Sequence, residues 1–207
     1  MINQPKSLKR ILFFGDSLTQ YGTLPEGYIS LLTQFLISNK LDNQFELIGA
    51  GIGGDKVYDL HFRLESDVLS QNPDIVVVLI GINDIWHKNK GTGTDAVKFQ
   101  RFYESIVDKM QDNNIEVVLA TPTLIGELKE FKNPDDQDLE QYAQIIRDLA
   151  TVKNCDLIDL RKIFTNYIQN HNTNNTSSGV LTTDNVHLNK QGNQLISTAF
   201  QTIFLKH

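Results

Sequence analysis

Ile75-Val76-Val77-Val78-Leu79-Ile80 forms a continuous apolar run that is rich in β-branched residues. A strand with one face in water alternates apolar and polar residues, whereas a strand buried on both faces of a parallel sheet does not. The run therefore predicts a central strand of a parallel sheet. Shorter apolar runs predict further strands at residues 11–14, 45–48, 117–120 and 157–160.

The segments between these strands carry apolar residues at intervals of three and four, which is the spacing of one face of an α-helix. Such sets occupy residues 28–36, 99–110, 139–149 and 195–203, and Asn189 is placed to cap the last helix. Strand and helix thus alternate along the 207 residues, without an internal repeat or a linker. This pattern predicts one domain, residues 1–207, built as a doubly wound α/β sandwich with about five parallel strands.

Composition excludes several classes of partner. The formal net charge is -6, so the chain lacks the basic excess that nucleic acids and anionic membranes attract. Its single cysteine, Cys155, excludes an internal disulfide and a metal site built from several thiolates. No run approaches the ~20 apolar residues of a membrane span, and residues 1–6 lack an apolar signal segment. We therefore expect a cytoplasmic protein whose partner is a small molecule.

Polar and glycine-rich clusters follow four of the predicted strands. They are Gly15-Asp16-Ser17, Gly51-Ile52-Gly53-Gly54-Asp55, Gly81-Ile82-Asn83-Asp84 and Thr121-Pro122-Thr123. The carboxyl ends of parallel strands meet at one edge of the sheet, where doubly wound α/β proteins bind ligands. We therefore predict that these clusters meet there and form the functional site.

Ser17 follows a strand and a glycine, and it precedes a predicted helix. Such a turn exposes the hydroxyl near a helix N-terminus, where developing negative charge is favoured, so Ser17 is a candidate nucleophile. Serine is also a common N-cap residue, and that role would explain the same position.

His187 stands three residues after Asp184. If the segment makes a tight turn, the Asp184 carboxylate can accept a hydrogen bond from Nδ1–H of His187. Nε2 is then free to take the proton of Ser17. The alternative is an aspartate turn followed by a surface histidine.

Donors for an oxyanion are also available at this edge. The Asn83 side-chain amide and the backbone N–H groups of Gly54 and Ser17 can all point at one developing charge. Turn chemistry would explain the asparagine and the glycines taken singly. A nucleophile, a base, an orienting acid and several donors on one sheet edge are better explained together, as the site of a serine esterase.

The chain resembles the SGNH, or GDSL-type, hydrolases over nearly its whole length. Four blocks stand in the order of that family: Gly15-Asp16-Ser17-Leu18, Gly51-Ile52-Gly53-Gly54-Asp55, Gly81-Ile82-Asn83-Asp84 and Asp184-Asn185-Val186-His187. Many members carry an asparagine five residues before the last glycine of the second block, where this chain has Gly49. This departure affects the local support of that turn.

The resemblance implies a flavodoxin-like, three-layer α/β/α fold. It implies a catalytic triad of Ser17, Asp184 and His187, and an oxyanion hole formed by Ser17, Gly54 and Asn83. It also implies that the reaction passes through an acyl-enzyme and needs no metal or organic cofactor.

The implied activity is hydrolysis of small or short-chain carboxylic esters. Acetyl groups on carbohydrate are the leading specific prediction, and a lysophospholipase or thioesterase of the same fold is the alternative. No long apolar segment indicates a lid or docking at a lipid surface, although an aromatic residue near the nucleophile suits a sugar face and a short acyl group equally well. Candidates for the substrate pocket are Asp16, Tyr21, Trp86, His87 and Thr123.

Two alternative functions remain open. Gly49-Ala50-Gly51-Ile52-Gly53-Gly54 also spells a dinucleotide-binding fingerprint, but it follows the second strand, and the expected acid at the end of the next strand is missing. A non-catalytic binding module would keep the fold without reactivity towards esters. An α/β-hydrolase elbow is disfavoured, because Thr19 stands where that motif requires glycine.

Overall fold

The structure is a computed structural model that describes residues 8–206, so the prediction made on residues 1–6 lies outside the described residues. Its centre is a parallel sheet of five strands in the order β2-β1-β3-β4-β5. The strands are β1 Lys9–Gly15, β2 Phe45–Gly51, β3 Ile75–Leu79, β4 Glu116–Ala120 and β5 Asp156–Ile158. The predicted strand number and the parallel arrangement are confirmed.

Helices cover both faces of the sheet and complete a three-layer α/β/α sandwich. They are α1 Ser17–Gly22, α2 Tyr28–Ser38, α3 Val57–Asp67, α4 Ile82–Trp86, α5 Ala96–Asp112, α6 Asp136–Val152, α7 Leu160–His171 and α8 Lys190–Phe200. Short 3-10 segments occupy residues 69–71, 88–90 and 201–206. On one side α2 packs against α8, and on the other α5 packs against α3 and α6. No helix within residues 8–206 is both long enough and apolar enough to span a bilayer.

The continuous apolar run occupies the middle of the sheet, as predicted. β3 pairs with β1 on one side and with β4 on the other, and all five of its residues are buried. Each such side chain taken out of water stabilises the fold by about 1.5–3 kcal/mol. The core continues outward from β1 through Phe13, whose ring meets those of Tyr28 in α2 and Phe200 in α8.

The last predicted strand is shorter than its apolar run. β5 ends at Ile158, and Leu160 already begins α7. The cause is Asp159, whose carboxylate accepts a hydrogen bond from the N–H of Lys162 at 3.2 Å and caps the helix. Asn189 caps α8 in the same way, as predicted, by accepting from Gly192 N–H at 3.0 Å.

The sheet register brings three loops together at its carboxyl edge. Gly15, the last residue of β1, pairs with Gly51 on β2 and with Leu79 on β3. A Cβ on Gly15 would overlap the carbonyl oxygen of Leu79 and the side chain of Thr19, so only glycine permits this close turn. The loops that follow the three strands therefore begin side by side.

Candidate active site

Ser17 is the first residue of α1, but it does not cap the helix. The N-cap is Asp16, whose carboxylate accepts a hydrogen bond from the N–H of Leu18 at 2.9 Å. The alternative role considered for Ser17 is therefore filled by its neighbour. The serine hydroxyl instead meets His187 Nε2 at 3.0 Å, across 170 residues of sequence.

Asp184 completes this chain of hydrogen bonds. One carboxylate oxygen lies 2.7 Å from His187 Nδ1. The other accepts from the backbone N–H groups of His187 and Val186, at 2.7 and 3.2 Å. Partial burial would by itself raise the pKa of Asp184, but these hydrogen bonds outweigh it and hold that pKa below its usual value. An ionised Asp184 favours the tautomer with the proton on Nδ1, which leaves Nε2 to accept from Ser17.

The loop that carries Asp184 and His187 is a short, closed turn. An antiparallel bridge between Thr182 and Leu188 forms its base, and Thr183 N–H donates to the carbonyl of His187 at 2.8 Å. This turn supplies the geometry that the spacing of the two residues requires.

The predicted oxyanion donors lie on the neighbouring loops. Gly54 has a φ of +87°, a conformation that favours glycine and turns its peptide out of the strand direction. A Cβ built on Gly53 would lie 3.8 Å from Cβ of Ser17, which places this loop directly beside the serine. Asn83 is buried at the start of α4, and its amide donates to the carbonyl of Asp55 at 3.1 Å and to Asp16 at 3.4 Å. These two bonds use both N–H groups of the amide, so donation to an oxyanion requires the longer contact, to Asp16, to be given up.

Buried acids surround the serine loop. Burial, together with repulsion from Asp84 and Asp55, raises the pKa of Asp16 to about 7. Burial likewise raises the pKa of Asp84 to about 6, against the opposing effect of its hydrogen bonds, one of which comes from Val57 N–H. Asp55 also has a raised pKa, again from burial, although it pairs with Arg63 at 2.7 Å. The floor of the site thus holds two buried carboxyl groups, Asp16 and Asp84, whose pKa values lie near neutral pH.

Asp84 and His87 have the same three-residue spacing as Asp184 and His187, yet the structure uses them differently. The carboxylate of Asp84 is buried and accepts from the N–H of Val57 at 3.2 Å. The ring of His87 stacks on Trp86. Partial burial and two nearby lysines lower the pKa of His87. The sequence spacing therefore does not distinguish the two Asp–His pairs. They are distinguished by the hydrogen bond between His187 and Ser17.

Two aromatic residues flank the histidine on the open side. The ring centroid of Tyr21 lies 5.4 Å from that of His187, and the centroid of Trp86 lies 6.4 Å from it. Tyr21 is 49% exposed, and Trp86 is half-buried with His87 beside it. We call the edge of the site formed by Tyr21, Trp86 and His87 its mouth; that these residues line a substrate pocket stays a prediction.

The other two predicted pocket residues are placed differently. Thr123 is fully buried, and its carbonyl accepts from the guanidinium of Arg161 at 3.4 Å, so the prediction that it lines the pocket is wrong. The residue does follow β4, but its side chain turns into the protein. Asp16 is 1% exposed and lies beneath Ser17, where it supports the site without forming a wall of it.

Arg63 supports the site and was not predicted from the sequence. Its guanidinium donates to the carbonyl of Gly15 at 2.8 Å and to that of Ala50 at 3.0 Å, and it also pairs with Asp55. It thereby ties together the ends of β1 and β2 and the loop that carries Gly54. A lone arginine inside an amphipathic helix gives no local sign of such a role.

A metal site is not apparent in the part of the chain that the structure describes. No group of three or more His, Cys, Asp and Glu side chains there is arranged to hold an ion. Cys155 is a single, half-buried thiol on the β5 side of the sheet.

Comparison with known proteins identifies the family. Residues 13–195 match the model of the GDSL-like lipase/acylhydrolase family. The chain belongs to this family. It is a carboxylic ester hydrolase with the SGNH fold, as the sequence blocks had predicted.

Several relatives of this GDSL-family enzyme are acetyl esterases by name. The crystal structure of the acetyl xylan esterase AlAXEase is 50% identical, covers 94% of this chain and 98% of its own, and superposes with a TM-score of 0.92. An acetylxylan esterase of Geobacillus stearothermophilus is 26% identical over 93% of this chain and 92% of its own length. Crystal structures of Axe2, an acetyl-xylooligosaccharide esterase of that organism, include one that is 25% identical, covers 96% of this chain and 94% of its own, and has a TM-score of 0.84.

Proposed function

We propose that this GDSL-family enzyme removes O-acetyl groups from xylan-type carbohydrate, through an acyl-enzyme formed on Ser17. The observation that carries the proposal is the pair of hydrogen bonds from Ser17 Oγ to His187 Nε2 and from His187 Nδ1 to Asp184, at 3.0 and 2.7 Å. The names of the similar acetyl xylan esterases support the choice of substrate.

Acylation begins when His187 takes the proton of Ser17 and the serine oxygen attacks the acetyl carbonyl carbon. The carbonyl oxygen gains negative charge as the tetrahedral intermediate forms. The N–H groups of Ser17 and Gly54 and the amide of Asn83 are the donors for this charge. The C–O bond to the sugar breaks, His187 gives its proton to the departing sugar oxygen, and the acetyl group stays bound to Ser17 as an ester.

Deacylation repeats the same steps with water. His187 takes a proton from the water molecule, and the resulting hydroxide attacks the acetyl-serine carbonyl. The intermediate collapses, acetic acid leaves, and the proton returns to Ser17. Throughout, Asp184 stabilises the positive charge that His187 carries in each transition state.

The aromatic residues at the mouth suit the alcohol side of the substrate. The rings of Tyr21 and Trp86 both lie close to that of His187, and the apolar face of a pyranose ring packs well against such aromatic surfaces. The two rings therefore favour a carbohydrate ester over a simple alkyl ester.

The test compares acetate release from acetylated xylo-oligosaccharides with hydrolysis of p-nitrophenyl esters from acetate to palmitate. We expect high activity on the oligosaccharide and on the acetyl ester, with a steep decline as the acyl chain grows. Ser17→Ala should abolish both activities. Activity that rises steadily towards long acyl chains would instead indicate a lipase or lysophospholipase, and would contradict the proposed substrate.

A further inference from the structure

We infer that Glu127 is a positioning residue for this reaction, because its side chain holds the loop that presents Asp184 and His187 to Ser17. The inference rests on the proposed roles of those three residues. Glu127 lies in the irregular segment after β4, outside every helix and strand. None of the sequence blocks includes it.

The carboxylate of Glu127 accepts four hydrogen bonds from three consecutive residues. Oε2 accepts from Val180 N–H at 2.8 Å. Oε1 accepts from the N–H groups of Leu181 and Thr182 at 2.7 and 2.6 Å, and from the Thr182 hydroxyl at 2.8 Å. One side chain thus fixes three successive peptide units.

Burial makes these bonds a strong constraint. Glu127 and Thr182 are both fully buried. Within residues 8–206 no lysine, arginine or histidine is paired with Glu127, so its bonding partners are the four donors of the loop. A buried carboxyl group without its donors is costly, and donors without their acceptor are costly too. The loop is therefore held to one arrangement.

The anchored residues lead directly to the triad. Thr182 forms the bridge with Leu188 that closes the turn, and only five residues lie between them. Asp184 and His187 are among those five. A shift of Thr182 would therefore move His187 relative to Ser17.

The backbone around Glu127 contacts the same loop. Gly126 N–H donates to the carbonyl of Asn185, between the two triad residues, at 2.8 Å. Glu127 N–H donates to the carbonyl of Ser177 at 2.9 Å, and its own carbonyl accepts from the amide of Asn172 at 2.7 Å. Gly126 adopts a φ of +88°, and a Cβ there would overlap the side chain of Asn133. The segment is thus shaped to face the loop.

Glu127→Gln tests the inference with almost no change in shape. An amide has one acceptor oxygen, so its NH₂ group must face at least one N–H donor of the loop. We expect kcat for p-nitrophenyl acetate to fall by about 10²-fold, because small misplacements of a base have effects of this size. KM should stay within about threefold, since the mouth of the site is untouched. The rate of labelling of Ser17 by a fluorophosphonate probe should fall with kcat.

The matched control is Asp159→Asn. Asp159 also accepts from several donors, namely Thr121 Oγ1, Lys162 N–H and the guanidinium of Arg147, but it holds the start of α7 and not the triad loop. We expect its variant to lose stability while keeping kcat and the labelling rate. An equal loss of kcat in both variants at matched temperature below unfolding would overturn the inference.

Thr182→Val decides the matter if Glu127→Gln does not fold. It keeps the carboxylate and all backbone donors and removes one hydroxyl, so we expect kcat to fall roughly three- to tenfold. A folded Thr182→Val or Glu127→Gln with wild-type kcat would overturn the inference. Ser17→Ala distinguishes failure of this inference from failure of the proposed function. An inactive Ser17→Ala beside a Glu127→Gln with wild-type kcat contradicts only the role of Glu127. An active Ser17→Ala contradicts the proposed function itself.

Discussion

Asp16 and Leu18 are joined by a 2.9 Å hydrogen bond from the N–H of Leu18 to the carboxylate of Asp16, and this bond caps α1. Because the acid takes the capping role, the hydroxyl of Ser17 between them has no part in it. The hydroxyl is therefore available to His187, which it meets at 3.0 Å. Because Asp16 caps the helix and Ser17 contacts the histidine, the serine is a candidate nucleophile.

Removing a member of the triad should nearly abolish activity. We expect Ser17→Ala and His187→Ala each to lower kcat for p-nitrophenyl acetate by roughly 10⁴-fold or more, because they remove the nucleophile and its base. Asp184→Asn should lower kcat by about 10⁴-fold, because His187 loses the acceptor that holds its reactive tautomer and stabilises its positive charge. Steady-state hydrolysis, with circular dichroism to verify folding, is the measurement. A His187→Ala variant with substantial activity would show that another base serves Ser17.

Asn83→Ala should lower kcat by roughly 10²–10³-fold, which is the usual effect of losing one oxyanion donor. KM should change little, because the donor acts mainly in the transition state. The same variant also loses the bond to the Asp55 carbonyl, so its melting temperature is measured alongside. If Asn83→Ala is kinetically silent, its assigned role is wrong.

Gly54→Ala and Gly91→Ala form a matched pair. Both glycines have positive φ, +87° and +71°, and a Cβ at either would meet no atom within 4 Å. Alanine at each therefore costs only conformational strain, about 1–2 kcal/mol of the free energy of unfolding. We expect similar losses of stability but a lower kcat in Gly54→Ala alone, because alanine keeps the N–H and the strain at φ +87° shifts it away from the predicted oxyanion position. Equal kcat values would contradict the prediction that the conformation of Gly54 sets the position of this donor.

Trp86→Ala should weaken binding of the sugar rather than the chemistry. We expect KM for acetylated xylo-oligosaccharide to rise by about tenfold, the equivalent of one lost aromatic contact, with kcat on p-nitrophenyl acetate nearly unchanged. Phe62→Ala is the control, because Phe62 is also a surface aromatic, 76% exposed, but lies on α3. A similar KM for Trp86→Ala and wild type would exclude Trp86 from the sugar site.

Asp16 makes the stability of the enzyme depend on pH. The raised pKa of about 7, from the ordinary 3.8, means that the folded state binds a proton that the unfolded state has released. The contribution of this proton to the free energy of unfolding is therefore complete below about pH 4 and is lost as the pH rises through about 7. Between pH 5 and 7 the free energy of unfolding should fall by roughly 2 kcal/mol from this group.

Asp16→Asn isolates that contribution, since an amide does not titrate. Urea unfolding of both proteins between pH 5 and 8 should show a smaller decline for the variant. Parallel declines would mean that Asp16 is not the group responsible.

The sequence predicted the fold through features that are local. The apolar run at residues 75–80 and the helical spacing of α2, α5, α6 and α8 each depend on neighbours within a few residues. Ser17 was predicted because it follows a strand, and that placement needs no tertiary information. Local rules also produced the error at Thr123, since a position after a strand places the backbone at the sheet edge but does not fix where the side chain points.

Glu127 and Arg63 could not be predicted, because their partners are distant in sequence. The donors to Glu127 lie 53 to 55 residues away, and Arg63 reaches the carbonyl of Gly15 across 48 residues. Nothing in their immediate surroundings distinguishes them from surface charges. The Asp84–His87 pair shows the converse: it shares the spacing of the triad pair, but Asp84 is buried on Val57 N–H while the ring of His87 stacks on Trp86.

The separation of Ser17 from His187 by 170 residues has a consequence during protein synthesis. A ribosome makes the nucleophile, all the oxyanion donors and the five strands before it reaches Asp184. A nascent chain arrested earlier than that carries a serine without a base and cannot turn over an ester. Ester hydrolysis therefore reports that translation has passed His187 and that the loop carrying Asp184 and His187 has docked.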